Sequence, residues 1–381
     1  MKKREAMTTK KTVAIVGPFA PSIFQFRGPL IRDLLRAGLR VVVLAPDFTP
    51  EHMERLRAWG AVPRLYPLDR TGLHPGHDLR TLFALWRVFR EERPDVVLGY
   101  HPKPSVYVPV AGWLARVPKR VAWVGGLGYA FTEGGRSWKR RGVRWMLTLW
   151  YRLAFRVAHQ VWFQNPDDRA ELLRRGLVRE KLAVVVGGTG VDLEAWLPAP
   201  SHLKPLTFTL IARLLREKGV LEFIEAARCI KPRHPEVKFL LVGPVDVNPG
   251  AIPETQVRSW VNEGLVEWVS WADDVRPYLR RTSVFVLPSY REGIPRSTQE
   301  ALAMARPVIT TDAPGCRETV VGGVNGFLVP PKDAGALTEA MERFIMTPDL
   351  IERMGKASRR LAEDRFDVRK INARLIRELL R

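Results

Sequence analysis

Short runs of β-branched and aliphatic residues alternate along this chain with stretches whose apolar positions recur every three or four residues. Apolar runs at 12–17 (TVAIVG), 40–46 (RVVVLAP), 95–100 (DVVLGY), 120–125 (RVAWVG), 160–165 (QVWFQN) and 182–188 (LAVVVGG) predict strands, and 26–38 and 79–94 predict helices between them. Continuous apolar runs suit strands covered on both faces, and repeated strand–helix units specify a parallel sheet flanked by helices. Residues 191–206 break the pattern with three prolines and little periodicity, as an interdomain linker does. The alternation then restarts, with strands at 206–213, 237–243, 266–271, 283–289 and 307–311 and helices at 219–231, 254–263, 274–281 and 296–305. The expected fold is therefore α/β, with two doubly wound, Rossmann-like domains presenting strand C-terminal ends to a shared cleft. The domains are expected at 1–195 and 196–365, and an amphipathic helix over 366–381 is expected to cross back to the first.

Composition adds charge to this picture. The 381 residues carry a net charge of +21, which points to polyanionic partners: nucleic acid, an anionic membrane or phosphorylated ligands. No recognition motif of a nucleic-acid-binding family is present, so nucleic acid is not an expected partner. No apolar run approaches the ~18 residues of a spanning helix, and the basic start leads straight into a strand. A cytoplasmic protein, peripheral on the cytoplasmic face of a membrane, is expected. Cys229 and Cys316 have no metal-like spacing and are expected as small buried residues in a reducing compartment.

The segment 291–300 (REGIPRSTQE) carries the most chemistry. It joins a strand to a helix and places Glu292 in the turn and Glu300 on the second helical turn. Gly293 lets backbone approach a ligand, Pro295 suits a first helical position, and free amides at a helix start attract phosphate. Arg213 and Lys218 follow the strand 206–213 and precede a helix, where phosphate binds in such folds. An Arg fork and a Lys point charge suit a diphosphate. Alone, these cations are equally a solvated loop; with the two-carboxylate turn they describe a nucleotide-diphosphate site. No Asp-x-Asp triplet occurs, so no metal and no cofactor beyond the substrate is expected, and no Ser/His/Asp or Cys/His group stands out. His101 follows the strand 95–100 and is either a ligand contact or structural. The glycine-rich 124–135 is either a flexible loop or one that approaches a sugar or phosphate.

The segment 136–160 holds seven basic and no acidic residues between Arg136 and Arg156. Val143, Met146, Leu147, Trp150, Leu153, Ala154 and Val157 form an apolar stripe, with Trp138, Trp145 and Tyr151 as amphipathic rings. This is either an interfacial helix on anionic lipid or a core-facing helix with a basic outer face. Gly128, Tyr129, Lys139, Arg140, Arg141 and Arg144 are the residues expected on the acceptor and membrane side.

With these residues in place, the chain resembles glycosyltransferase family 4, of the two-domain GT-B fold. Glu292 and Glu300 match its Glu-x7-Glu signature, and GLGYAF, FQNPDD, GTGVD, LIARLLREKG, LPSYREGIPRS and RPVITTDAPGCRETV look like the branch that builds capsule, O-antigen and N-glycan precursors on polyprenyl diphosphate lipids. The resemblance implies that Arg213 and Lys218 bind the donor diphosphate and Glu292 meets the sugar hydroxyls. Gly293, Ile294 and Pro295 would reach sugar and phosphate through their backbone, and Glu300 would hold the ribose. Gly17 would lie near the loop over the donor phosphates, and Gly243 and Pro244 would bracket the base. Where many members have a sugar-contacting His, this chain has Gly125. The family implies a retaining, metal-independent transfer from a nucleotide sugar, here UDP-linked and expected to be an N-acetylhexosamine, to a lipid-diphosphate-linked saccharide. The leaving diphosphate would take the acceptor's proton. UDP-glucose or GDP-mannose on another acceptor is the alternative; a basic membrane- or nucleic-acid-binding protein without catalysis is the alternative from another class.

Overall fold

A computed structural model describes residues 10–69, 75–127, 138–246, 248 and 250–381, the side chains of 75, 138–141, 143, 144 and 147 excepted. Two compact units divide these residues: one comprises the described residues up to Val186 together with Asn372–Arg381, and the other Gly187–Ile371.

The first unit is built on seven parallel strands: β1 Thr12–Val16, β2 Arg40–Ala45, β3 Val62–Leu65, β4 Val96–Tyr100, β5 Lys119–Val124, β6 Gln160–Phe163 and β7 Ala183–Val185. Their spatial order is β3-β2-β1-β4-β5-β6-β7. β1 pairs with β2 on one side and β4 on the other, so the winding direction reverses between β1 and β4. All five residues of β1 and of β4 are buried, as their unbroken apolar sequence requires.

The second unit has six parallel strands: β8 Thr207–Ile211, β9 Lys238–Val242, β10 Glu267–Val269, β11 Val284–Leu287, β12 Val308–Thr311 and β13 Gly326–Val329. Their order is β10-β9-β8-β11-β12-β13, with the reversal between β8 and β11. Side chains alternate between two cores. Phe208, Leu210, Phe239 and Leu241 enter one, while Ile211, Leu240 and Val242 enter the other.

Two strands have no counterpart in the sequence pattern. β3 contains Pro63, which an edge strand tolerates. β13 is four residues led by Gly326, too short for a periodic signal. The helix expected over 26–38 begins as a π-helical segment, Ile23–Arg27, and continues as Gly28–Arg36. Cys229 is exposed, against expectation, because it lies on the outer face of the helix Val220–Ile230; Cys316 is buried.

The helix Val368–Leu380 ends the chain. Its later turns belong to the first unit: Asn372 Nδ2 donates to Asp33 Oδ2 at 2.7 Å, and Gln160 Nε2 donates to Glu378 Oε2 at 3.2 Å. Leu375 and Leu379 are buried there. Among the described residues no helix is long and apolar enough to cross a membrane.

Candidate functional site

In open parallel sheets a ligand binds beyond the strand C-termini where the winding reverses. In the second unit that point lies between β8 and β11. Arg213 and Lys218 follow β8, and Glu292 follows β11, so the residues singled out from the sequence meet there.

The loop after β8 folds as a 3-10 turn, Arg216–Lys218, ended by Gly219. Gly219 has φ +74, and a Cβ on it would stand 2.2 Å from Pro288 O. Only glycine allows this turn to close against the end of β11. Tyr290 N donates to Glu217 O at 2.9 Å, which ties the two loops together. Lys218 Nζ is then ion-paired and hydrogen-bonded to Glu292 Oε1, both side chains being largely buried. Glu292 N donates to Pro314 O at 3.0 Å, anchoring the turn to the loop after β12.

Arg213 is exposed and its Nη1 donates to Asp246 Oδ2 at 2.6 Å. Asp246 is oriented in turn by Asn248 N at 2.9 Å. Leu214 N donates to Pro244 O at 2.9 Å, which sets the β9 loop beside the β8 loop. Gly243, with φ +146, has no room for a side chain: a Cβ would lie 1.9 Å from Ala212 O. Gly243 and Pro244 therefore stand next to the cations.

The helix Arg296–Ala303 follows the Glu292 turn. Pro295 is its N-cap, not its first helical residue, because its ψ of 128° is extended. Arg296 Nε donates to Glu300 Oε1 at 2.8 Å, and its Nη1 donates to Gly190 O. Burial raises the Glu300 carboxyl above its ordinary range, and Arg296 opposes the rise. Gln299 is fully buried; its Oε1 accepts from Gly190 N at 3.0 Å and its Nε2 donates to Ile294 O at 3.2 Å. Burial, then Glu292, pushes the Cys316 thiol up to about 12, so it is no nucleophile at neutral pH.

Asp246, Arg296 and Gln299 were not legible as site residues. Arg296 had a signal in its i, i+4 spacing to Glu300. Asp246 had none, since its pairing with Arg213 spans 33 positions. The result is three cation–carboxylate pairs, Arg213–Asp246, Lys218–Glu292 and Arg296–Glu300, gathered at one sheet edge. Among the described residues no three His, Cys, Asp or Glu side chains gather as a metal-holding group.

In the first unit Gly17 and His101 follow β1 and β4, again at the reversal. A Cβ on Gly17 would stand 2.4 Å from Tyr100 Oη, and Gly17 O accepts from Tyr66 Oη at 2.8 Å. Packing against two tyrosines thus requires this glycine. His101, with φ +74, lies 6.2 Å from the Phe19 ring and 5.5 Å from the Tyr100 ring. A Cβ on Gly125 would meet nothing within 4 Å.

Gly128 and Tyr129 lie outside the described residues, as do the side chains of Lys139, Arg140, Arg141 and Arg144. Their helix, Trp138–Val157, buries Tyr151, stacked 4.9 Å from Phe155, so Tyr151 is a core residue and not an interfacial ring. Leu153, on the expected apolar stripe, is 51% exposed.

Residues 205–347 match the family model described as glycosyl transferases group 1, and residues 27–188 match the glycosyl transferase 4-like domain. The N,N'-diacetylbacillosaminyl-diphospho-undecaprenol alpha-1,3-N-acetylgalactosaminyltransferase of Campylobacter jejuni is 31% identical over 84% of this chain and 85% of its own. The UDP-Gal:alpha-D-GlcNAc-diphosphoundecaprenol alpha-1,3-galactosyltransferase of Escherichia coli is 27% identical over 70% of each. Among solved structures, the sucrose-phosphate synthase of Thermosynechococcus elongatus superposes with a TM-score of 0.79 at 19% identity, covering 97% of this chain and 99% of its own. Anabaena HepE in complex with UDP gives 0.76 at 18% identity over the same shares.

Proposed function

Because the chain belongs to glycosyltransferase family 4, with the GT-B fold, we propose that it moves a sugar from a UDP-sugar to a polyprenyl-diphosphate-linked saccharide, with retention and without a metal. The observation that carries the proposal is the Lys218–Glu292 pair beside Arg213 at the reversal point of the second sheet. On donor binding the diphosphate takes Lys218 and Arg213, and the sugar hydroxyls take Glu292. Glu300 faces the ribose, held by Arg296. The work of these residues is to position the donor and stabilise charge on the leaving diphosphate, which accepts the acceptor's proton.

The lipid acceptor is supported by the activities of the C. jejuni and E. coli relatives, whose substrates are sugars on diphospho-undecaprenol. The first also supports an N-acetylhexosamine as the sugar transferred. Such an acceptor sits at a membrane, and the helix Trp138–Val157 offers a surface for one. Trp145, Leu149 and Leu153 are 70%, 53% and 51% exposed at i, i+4 and i+8, one stripe of a helix without acidic residues. The protein therefore associates peripherally with anionic lipid.

Transfer measured with purified protein, a panel of nucleotide sugars and a lipid-diphosphate acceptor tests the proposal. Lys218→Ala and Glu292→Ala are each expected to reduce transfer by roughly 100-fold or more, the scale of losing a preorganised electrostatic contact, while circular dichroism stays native. Near-normal turnover by either variant refutes the site, turnover with GDP-mannose alone refutes the UDP donor, and turnover with UDP-glucose alone refutes the N-acetylhexosamine.

A further inference from the structure

The second sheet has another edge, at the N-terminal ends of its strands. Residues 195–202 precede β8, the helix Arg276–Arg280 precedes β11, and Met304 precedes β12. These three segments line a cavity of about 440 Å³, within the size range of small-ligand sites. The cavity and the Lys218–Glu292 site lie at opposite ends of β8, five residues or about 16 Å apart along the strand.

The lining combines apolar residues, Leu197, Pro198 and Met304, with basic ones, His202, Arg276 and Arg280. Arg276 is shared with Asp274 at 2.9 Å and holds Ala195 O at 3.2 Å. Arg280 is exposed.

Behind the wall stands Arg306, fully buried. Its Nη2 donates to Pro200 O at 2.8 Å, while its Nε and Nη1 have no hydrogen-bond partner. Burial alone pulls its guanidinium down to about 10, with no carboxylate to offset the effect. A buried cation without a counter-charge is costly, and a structure that retains one gains by drawing an anion near. Burial, then Arg306 and Arg281, holds the His202 imidazole below its ordinary range. Positive potential thus reaches the cavity both from its lining and from behind.

We propose that this cavity binds a small organic phosphate. The phosphate group rests on Arg280, Arg276 and His202, and the apolar body rests against Leu197, Pro198 and Met304. The site is independent of the donor residues, and the inference stands whether or not the proposed reaction does.

Calorimetry with phenyl phosphate and with inorganic phosphate decides the matter. It uses the full chain carrying Arg213→Ala and Lys218→Ala, so that the cations of the other edge do not contribute. Phenyl phosphate is expected to bind, and more tightly than inorganic phosphate. Adding Arg280→Glu, an exposed change that leaves the core intact, is expected to weaken binding by roughly tenfold or more. The His202 resonances, followed by NMR, are expected to titrate at higher pH in the complex. Absence of binding, equal affinity for the two phosphates, or affinity unchanged by Arg280→Glu and His202→Ala each overturns the proposal.

Discussion

Glu300 is held between two opposed effects, burial that raises its pKa and Arg296 that lowers it, and burial prevails. An acid whose folded-state pKa lies above its unfolded value contributes fully to stability while it is neutral, below the unfolded pKa. That contribution is lost as pH rises through the folded value. At pH above the unfolded value the buried carboxyl therefore costs stability. Glu300→Gln is expected to raise the melting temperature at neutral pH, with the gain vanishing as the pH falls toward the ordinary value of 4.5, and to weaken UDP binding. Thermal scans at several pH values read the first effect and calorimetry the second. Gly219→Ala should act in the opposite sense. Its φ of +74 and the approach of Pro288 O make a loss of about 1–3 kcal/mol the expected cost in a denaturant titration. Of these residues, Arg213, Lys218, Glu292 and Glu300 could be picked out from the sequence because each sits at a fixed offset from a strand or helix end. Lys218 and Glu292 prove to be each other's partner, whereas Asp246, the partner of Arg213, carried no such signal, and Arg296 carried one only because its pairing stays within one helical turn.

At the scale of elements, periodicity located most strands and helices because each apolar run had to be buried on both faces. It did not say which stripe of a helix faces inward. In the helix Trp138–Val157 the inward residues are Tyr151, Ala154 and Phe155, with Trp150 set 5.6 Å from the Tyr107 ring of the helix Pro104–Leu114. The outward stripe is Trp145, Leu149 and Leu153. Whether a helix packs one apolar side or two depends on its neighbours, which its own sequence does not contain. Replacing Trp145, Leu149 and Leu153 by Ser is expected to abolish flotation with anionic liposomes while leaving the melting temperature unchanged or higher. Flotation at the wild-type level would show that another surface meets the lipid.

At the scale of the whole molecule, the net charge of +21 makes any membrane association salt-dependent. Flotation is expected to fall as salt is raised. Salt-dependent binding to RNA without UDP binding would instead favour the reading without catalysis. The path of the chain has a different consequence. The first unit is interrupted after Val186 and is finished only by residues 372–381, whose Leu375 and Leu379 enter its core. During synthesis, its partner surface at Asp33, Lys119 and Gln160 emerges some two hundred residues before the helix that covers it. At ~5–20 residues per second that gap lasts roughly ten to forty seconds, during which the second unit is made in full. The half of the protein that is translated first is thus the half that is completed last, since Leu375 and Leu379 reach it only after the second unit has been made.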